Sequence, residues 1–289
     1  MAHTDQLASG WNSSPVHALR AIPGACSLAD LDTAGTPGFV GSKSDALRLL
    51  QARGKHLHTL QEKLYANAVS GNGRSVLLVL QGMDAAGKGG IIRHVLGMVN
   101  PEGIDHAPFG VPSSEERLHH FLWRVHKALP RLGHIGVFDR SHYEDVLVAR
   151  VRKLVPEAVW QGRYHEINEF ERQLAGQGMV IVKVAMFISL QEQKQRLLQR
   201  LRDPHKNWKY SPRDVDDRLQ WPHYRDAYQA LLDRTSTEVA PWYVIPCDHK
   251  WYSRIAVAEL LIAALETMDL TWPPAQYDLQ KEITRLQRS

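Results

Sequence analysis

From Lys43 to Ser70 the apolar positions Leu47, Leu50, Leu57, Leu60 and Leu64 recur at helical spacing, and Gly71-Asn72-Gly73 ends the run. The pattern then changes to short apolar runs separated by stretches of helical period. Strands are expected at Val76–Leu80, Ile104–Phe109, Ile135–Phe138, Val180–Ile188 and Trp242–Ile245; the second is the weakest and the fourth the strongest. Helices are expected at Lys88–Val99, Ser114–Leu129, Ser141–Leu154, Pro156–Leu174, Leu190–Leu201, Ser211–Leu232 and Ile255–Met268. Ser211-Pro212-Arg213-Asp214 reads as a helix start, with a capping hydroxyl, a proline in the first turn and a carboxylate facing the dipole. Pro222 should kink or interrupt that helix, because it lacks an N–H and its ring crowds the preceding turn. Strand–helix alternation of this kind predicts an α/β fold with a mainly parallel sheet and helices on both faces. Residues 1–42, rich in Gly, Ser, Pro and Ala, are expected as a flexible tail, lying on the domain or partly disordered, and residues 43–289 as one domain.

Composition narrows the function classes. The 289 residues are 44% hydrophobic and 23% charged, which suffices for a sizeable core. A net charge of +4 permits an anionic ligand but disfavours a nucleic-acid binder. Two cysteines, Cys26 and Cys247, make no disulfide framework, so a reducing cytoplasm fits. No signal peptide is visible, and no stretch approaches the roughly 18 apolar residues of a spanning helix. The best apolar run, Met179–Leu190, contains Lys183 and reads as a buried strand.

The decisive chemistry lies in Gly82-Met83-Asp84-Ala85-Ala86-Gly87-Lys88-Gly89-Gly90, between a predicted strand and a predicted helix. That is the context of a phosphate loop: glycines let successive N–H groups face phosphate oxygens, the helix start adds positive potential, and Lys88 adds a full charge. Gly89 stands where most such loops carry a Ser or Thr for Mg²⁺, so another oxygen must take the metal. Asp84 is the candidate, because a carboxylate beside phosphate calls for a cation between them. A second carboxylate, Asp139, ends the strand Ile135–Phe138 where phosphate-loop enzymes place a metal-binding Asp, and Arg140 follows it. A basic segment holds Arg196, Arg200, Arg202, His205, Lys206, Lys209 and Arg213, interleaved with Trp208 and Tyr210. Alone it could be a solvated face; after the fourth strand of a phosphate-loop kinase it fits a mobile lid.

With Phe138-Asp139-Arg140-Ser141-His142-Tyr143, Asp203-Pro204-His205-Lys206-Asn207-Trp208-Lys209-Tyr210-Ser211 and Trp242–Tyr252, this loop resembles the polyphosphate kinase 2 family from about Leu60 to about Leu270. The resemblance implies a three-layer phosphate-loop kinase fold like that of thymidylate kinases, with a helical lid at about 203–232 and usually a homo-oligomer. It implies transfer between inorganic polyphosphate and adenine or guanine nucleotides, with Mg²⁺ (or Mn²⁺) required. Asp84 and Asp139 would hold the metal and orient the acceptor. The catalytic set would be Asp84, Lys88, Asp139 and Arg140. Gly82, Ala85, Ala86, Gly87, Gly89, Gly90, Arg93, Arg196 and Arg200 would line the phosphates, and Lys206, Asn207, Trp208, Lys209 and Arg213 would form the lid. The acceptor cues conflict. Ser141-His142-Tyr143-Glu144-Asp145 resembles the branch that also takes monophosphates, while Asp139 resembles diphosphate-preferring members. ADP is therefore expected to be converted to ATP, with AMP accepted more slowly. A base site is expected near Trp242–Trp251.

The remaining constellations are weaker. His165-Glu166 lacks a second ligand at Glu169, so no zinc helix is read there. Asp139, Ser141 and His142 make no hydrolase triad, and no Gly-x-Ser-x-Gly elbow exists. The rival classes are an ATP-dependent nucleotide or small-molecule kinase on the same fold and a non-enzymatic nucleotide-binding module.

Overall fold

The computed structural model describes residues 10–289. Five strands form one parallel sheet in the order β2-β3-β1-β4-β5. They are β1 (Ser75–Gly82), β2 (Ile104–Pro108), β3 (Ile135–Asp139), β4 (Met179–Phe187) and β5 (Trp242–Pro246). β1 is central and buried along its whole length, as expected of an apolar run with helices on both faces. Its side chains alternate between two cores. Val76, Leu78 and Leu80 face the core built with α2 (Lys43–Val69), α3 (Lys88–His94) and α10 (Lys250–Glu266). Leu77 and Val79 face the core built with α6 (Glu157–Gly176) and α9 (Trp221–Thr235). This is the three-layer phosphate-loop kinase fold.

The helix expected from Lys43 begins there because Ser42 and Asp45 form a reciprocal cap: Asp45 Oδ2 accepts from the Ser42 N–H at 2.8 Å and Ser42 Oγ from the Asp45 N–H at 3.3 Å. Other expected helices are shorter. Lys88–Val99 stops at His94 and continues as a 3-10 turn at Leu96–Met98, ahead of Asn100-Pro101. Ser114–Leu129 reduces to a 3-10 turn and α4 (Trp123–Lys127), because Leu118, which should continue the apolar stripe, is 86% exposed. Ser141–Leu154 becomes a 3-10 turn at His142–Asp145 and α5 (Val148–Val151). Ser211–Leu232 divides at Gln220 into α8 (Arg213–Leu219) and α9, with Pro222 in the first turn of α9. The N-cap of α8 is Pro212, with no side-chain cap, rather than the expected Ser211, whose Oγ accepts from the Arg213 N–H at 3.3 Å. The last expected helix begins at Lys250 rather than Ile255, and a further helix, α11 (Leu279–Gln287), follows.

The expectation of a flexible tail over 1–42 is corrected for residues 10–42; residues 1–9 of it lie outside the described residues. Trp11, Leu19 and Phe39 enter one core, and Ala21 and Leu28 the other. α1 (Pro15–Leu19) leads into an antiparallel bridge of Arg20 with Tyr243, and the Ala21 N–H donates to the Trp242 carbonyl at 2.8 Å. The segment is a strap that covers the open edge of β5. Among the described residues no helix is long and apolar enough to cross a membrane.

Candidate active site

Register places the chemistry. Leu80 of β1 pairs with Asp139 of β3, and Gly82 with Met186 of β4, so loop and carboxylate emerge side by side at the strands' C-terminal ends. Gly82 is required there, since a Cβ would stand 2.7 Å from the Met186 carbonyl oxygen. Beyond it, Ala85 takes a left-handed φ of 65°, sparsely allowed for a residue with a Cβ, and Gly87 one of 122°. Lys88 is buried, and its Nζ donates to the Gly82 carbonyl at 2.6 Å. Burial holds its pKa below the ordinary lysine value, against the pull of Asp84.

Arg140 also has a left-handed φ, 62°, which breaks the helix expected from Ser141. Its N–H donates to the Leu80 carbonyl at 3.0 Å, and its Nη2 meets Asp84 Oδ1 at 2.7 Å. Behind this pair, Gln81 Nε2 donates to Glu144 Oε1 at 2.9 Å and Ser141 Oγ donates to Gln81 Oε1 at 3.3 Å. Burial pushes the Glu144 carboxyl above its usual range, with Arg140 opposing. Deeper, Lys183 Nζ binds Tyr143 Oη at 2.8 Å, Glu171 Oε2 at 2.5 Å and the Thr235 carbonyl at 2.7 Å. This network, which also takes in His142 through its Nε2 at 3.4 Å from Glu171 Oε1, fixes the turn that follows Asp139.

Two cavities meet at Asp84, Phe109 and Arg140. One, of about 630 Å³, holds Lys88, Gly89, Gly90, Arg93 and Asp139, with Arg200, Lys206 and Lys209 from the basic segment. Lys250 and Arg254 of α10 join them, and sequence reasoning missed both. Their spacing of four at a helix start was the available signal. The other, of about 580 Å³, is walled by Phe109, Val111, Pro112, Leu147, Val148, Tyr224 and Tyr228, with Arg124, Arg152 and Arg213 among its polar groups.

Three expectations change. Arg196 borders the basic cavity but spends its donors on the protein: its Nη1 donates to the Ala85 and Ala86 carbonyls (3.0 and 3.1 Å), its Nη2 to those of Cys247 and Asp248 (2.6 and 2.9 Å), and its Nε to Glu192 (2.7 Å). Those bonds occupy all five donors of a guanidinium. The base site expected near Trp242–Trp251 is not open. Trp242 is fully buried with its Nε1 on Thr235, and Trp251 packs on Phe39. Of the lid expected over 203–232, α9 belongs to the core through Tyr224, Ala227, Tyr228 and Leu231. α8 is docked as well, through the buried Asp214 and the pair of Asp217 with Arg152, and only the stretch before it is open: Trp208 is 74% exposed, Lys209 lies over its ring, Lys206 pairs with Asp203, and Asn207 opens a 3-10 turn. Arg213 lines the second cavity, not the first.

A sequence model described as polyphosphate kinase 2 matches residues 42–273, a span that holds the sheet, the phosphate loop and both cavities. The chain belongs to the polyphosphate kinase 2 family. It is 46% identical over 258 residues to a Meiothermus ruber protein named AMP/ADP-polyphosphate phosphotransferase, covering 89% of this chain and 95% of that one. A Rhodopseudomonas palustris protein named ADP-polyphosphate phosphotransferase is 40% identical over 262 residues, covering 86% and 89%. The crystal structure of polyphosphate kinase 2 from Arthrobacter aurescens TC1 superposes with a TM-score of 0.94 at 47% identity, covering 96% of this chain and 98% of that one. At 96% coverage of this chain, the match with the Arthrobacter aurescens structure extends through most of the strap.

Proposed function

We propose that this polyphosphate kinase transfers the terminal phosphoryl group of inorganic polyphosphate to ADP, and more slowly to AMP, in a reversible reaction. The observation that carries the reading is the pair of unlike cavities meeting at Asp84 and Arg140. The basic cavity suits a chain of repeated phosphates. The second has apolar walls for a base and ribose and opens onto the same point. The names of the Meiothermus ruber and Rhodopseudomonas palustris relatives support this choice of substrates.

In the forward direction a terminal phosphate oxygen of the nucleotide attacks the last phosphorus of polyphosphate. A new P–O bond forms as the bridging P–O bond behind it breaks, leaving polyphosphate one unit shorter. The nucleophile is already anionic near neutral pH, so no general base is needed, and catalysis reduces to positioning and charge neutralisation. Lys88 and the open N–H groups of the loop hold the donor's end. Arg140, at the junction of the cavities, reaches the group in transit, and its tie to Asp84 sets its direction. Mg²⁺ fits the donor set: two carboxylates, Asp84 and Asp139, line one cavity, and a small hard cation commonly takes one or two carboxylates with substrate phosphates and water. Among the described residues no group of three or more His, Cys, Asp or Glu side chains gathers into a protein-only cage. When bound, the cation would neutralise phosphate charge; Mn²⁺ should replace it.

The same proposal includes a cytoplasmic enzyme, consistent with Cys26 and Cys247 both being free thiols. It also includes an assembly of copies, supported by Leu279, Ile283 and Leu286, exposed along one face of α11. The test is a donor and acceptor panel: long-chain polyphosphate or ATP against AMP, ADP, GMP and GDP. ATP formed from polyphosphate, Mg²⁺ and ADP without added nucleoside triphosphate is the expected result. An enzyme that phosphorylates nucleotides only from ATP would be an ordinary nucleotide kinase.

A further inference from the structure

The phosphate loop is gripped from behind by one face of α7 (Leu190–Arg202). Gln193 and Arg196 stand three residues apart, hence on the same side of the helix, and are 1% and 7% exposed. Gln193 Nε2 donates to the Asp84 carbonyl at 3.0 Å, and Arg196 Nη1 to the carbonyls of Ala85 and Ala86 at 3.0 and 3.1 Å. Three consecutive carbonyls are thereby drawn toward α7. In a planar trans peptide, the carbonyl of one residue and the N–H of the next point in opposite directions. The Ala85 and Gly87 N–H groups are therefore turned away from α7. The Ala86 N–H closes a turn on the Met83 carbonyl at 3.1 Å. Among the described residues the N–H groups of Ala85, Gly87, Lys88 and Gly89 meet no protein acceptor, and all four residues line the basic cavity.

Arg196 also anchors the arrangement to the frame. Its Nη2 reaches the Cys247 and Asp248 carbonyls after β5, so the guanidinium joins the phosphate loop to the loop after β5. Asp248 is itself held, its carboxylate accepting from the Ser189 N–H at 2.8 Å and from Thr33 Oγ1 of the strap at 2.9 Å. Ala85 needs such support, since a left-handed φ is strained for a residue with a Cβ.

We propose that Gln193 and Arg196 are positioning residues: they set the anion-binding face of the phosphate loop by holding three of its carbonyls, and neither touches polyphosphate. The inference rests on the reading of the basic cavity as the donor site. It differs from a charge role in what a substitution should do. Lysine keeps the charge of Arg196 but cannot span four carbonyls with a planar fork.

The experiment compares wild type, Arg196→Lys, Arg196→Gln and Gln193→Leu. It measures ATP formation from polyphosphate and ADP, with the KM for polyphosphate followed over a range of salt, and melting temperatures alongside. Activity of the wild-type enzyme tests the donor assignment by itself, so its failure is separate from failure of the inference. The expected result is a fall in kcat of about ten- to a hundredfold for Arg196→Lys and severalfold or more for Gln193→Leu, the scale of a misplaced catalytic group. The slope of log KM against log salt should match wild type in all three. A slope smaller by about 0.7 in a neutral Arg196→Gln variant, the loss of one phosphate contact on a flexible polyanion, would overturn the proposal. So would a kcat near wild type in Arg196→Lys. If the Arg196 variants fail to fold, Gln193→Leu decides alone: unchanged kcat at an unchanged melting temperature refutes the positioning role.

Discussion

The two cavities on either side of Asp84 and Arg140 are similar in size and unlike in how they use charge. Among the described residues Arg93, Lys209, Lys250 and Arg254, on the basic side, form no ion pair. On the other side two of the three cations beside the shared Arg140 are already matched, Arg152 meeting Asp217 at 2.7 Å and Arg124 lying 3.6 Å from Asp145, and Arg213 is the one with no ion pair among the described residues. Unpaired cations create a field that any run of phosphates can enter in many registers. Paired cations contribute shape and fixed donors, and leave recognition to apolar walls such as Val148 and Tyr224. The difference separates a ligand defined by repetition from one defined by outline.

The largest effect expected strikes both sides at once. A chelator should abolish activity, Mg²⁺ or Mn²⁺ should restore it, and Asp84→Asn or Asp139→Asn should weaken metal dependence and rate together. A fully active chelated enzyme would break the assignment of the shared carboxylates. Next, Lys88→Ala should lower kcat by at least about a hundredfold, the scale of losing one group that stabilises transferring charge. Its melting temperature should stay close to wild type, and near-normal turnover would contradict the phosphate loop's role.

Sharper discrimination comes from one-sided changes. Lys250→Ala with Arg254→Ala should raise the KM for polyphosphate about tenfold and flatten its salt dependence, while the KM for ADP moves little. Equal shifts in both would show that the cavities are not separate sites. Lys88 and Lys250 both have pKa values lowered by burial, so each loses its proton at a lower pH than an ordinary lysine. The donor's kcat/KM should therefore decline as pH rises, beginning below the ordinary value of 10.5. Lys250→Arg should move part of that limb to higher pH. The smallest effect is expected from Val111→Glu, at an exposed wall of the second cavity. A carboxylate there should raise the KM for anionic ADP a few-fold and spare that for polyphosphate.

The basic side was the more legible in sequence. A buried parallel strand is an apolar run, and Gly82 to Gly90 carries its function in residue types at fixed spacing, so β1, the loop, Asp139 and the basic segment could all be placed. The second cavity is assembled from Phe109–Pro112, Leu147–Arg152 and Ser211–Tyr228, three stretches with no shared motif, and the aromatic run after β5 attracted the base site instead. Arg196 shows another limit: its position gave the residue type, but only the fold shows that backbone carbonyls consume its donors. The strap escaped because Trp11, Leu19, Leu28 and Phe39 follow neither a helical nor a strand period.

That strap bears on where this protein can be cut. The family match starts at residue 42, yet Trp11, Leu19, Leu28 and Phe39 are all less than 9% exposed. Burying one such side chain contributes about 1.5–3 kcal/mol, so removing four reaches the 5–15 kcal/mol that holds a typical domain folded. Truncation at the family boundary would also bare the outer edge of β5, an open row of hydrogen-bonding groups on which a second chain can add as a strand. A shortened enzyme made to that boundary should therefore be recovered as aggregate, and a fusion partner belongs ahead of Trp11 or after α11 rather than at residue 42.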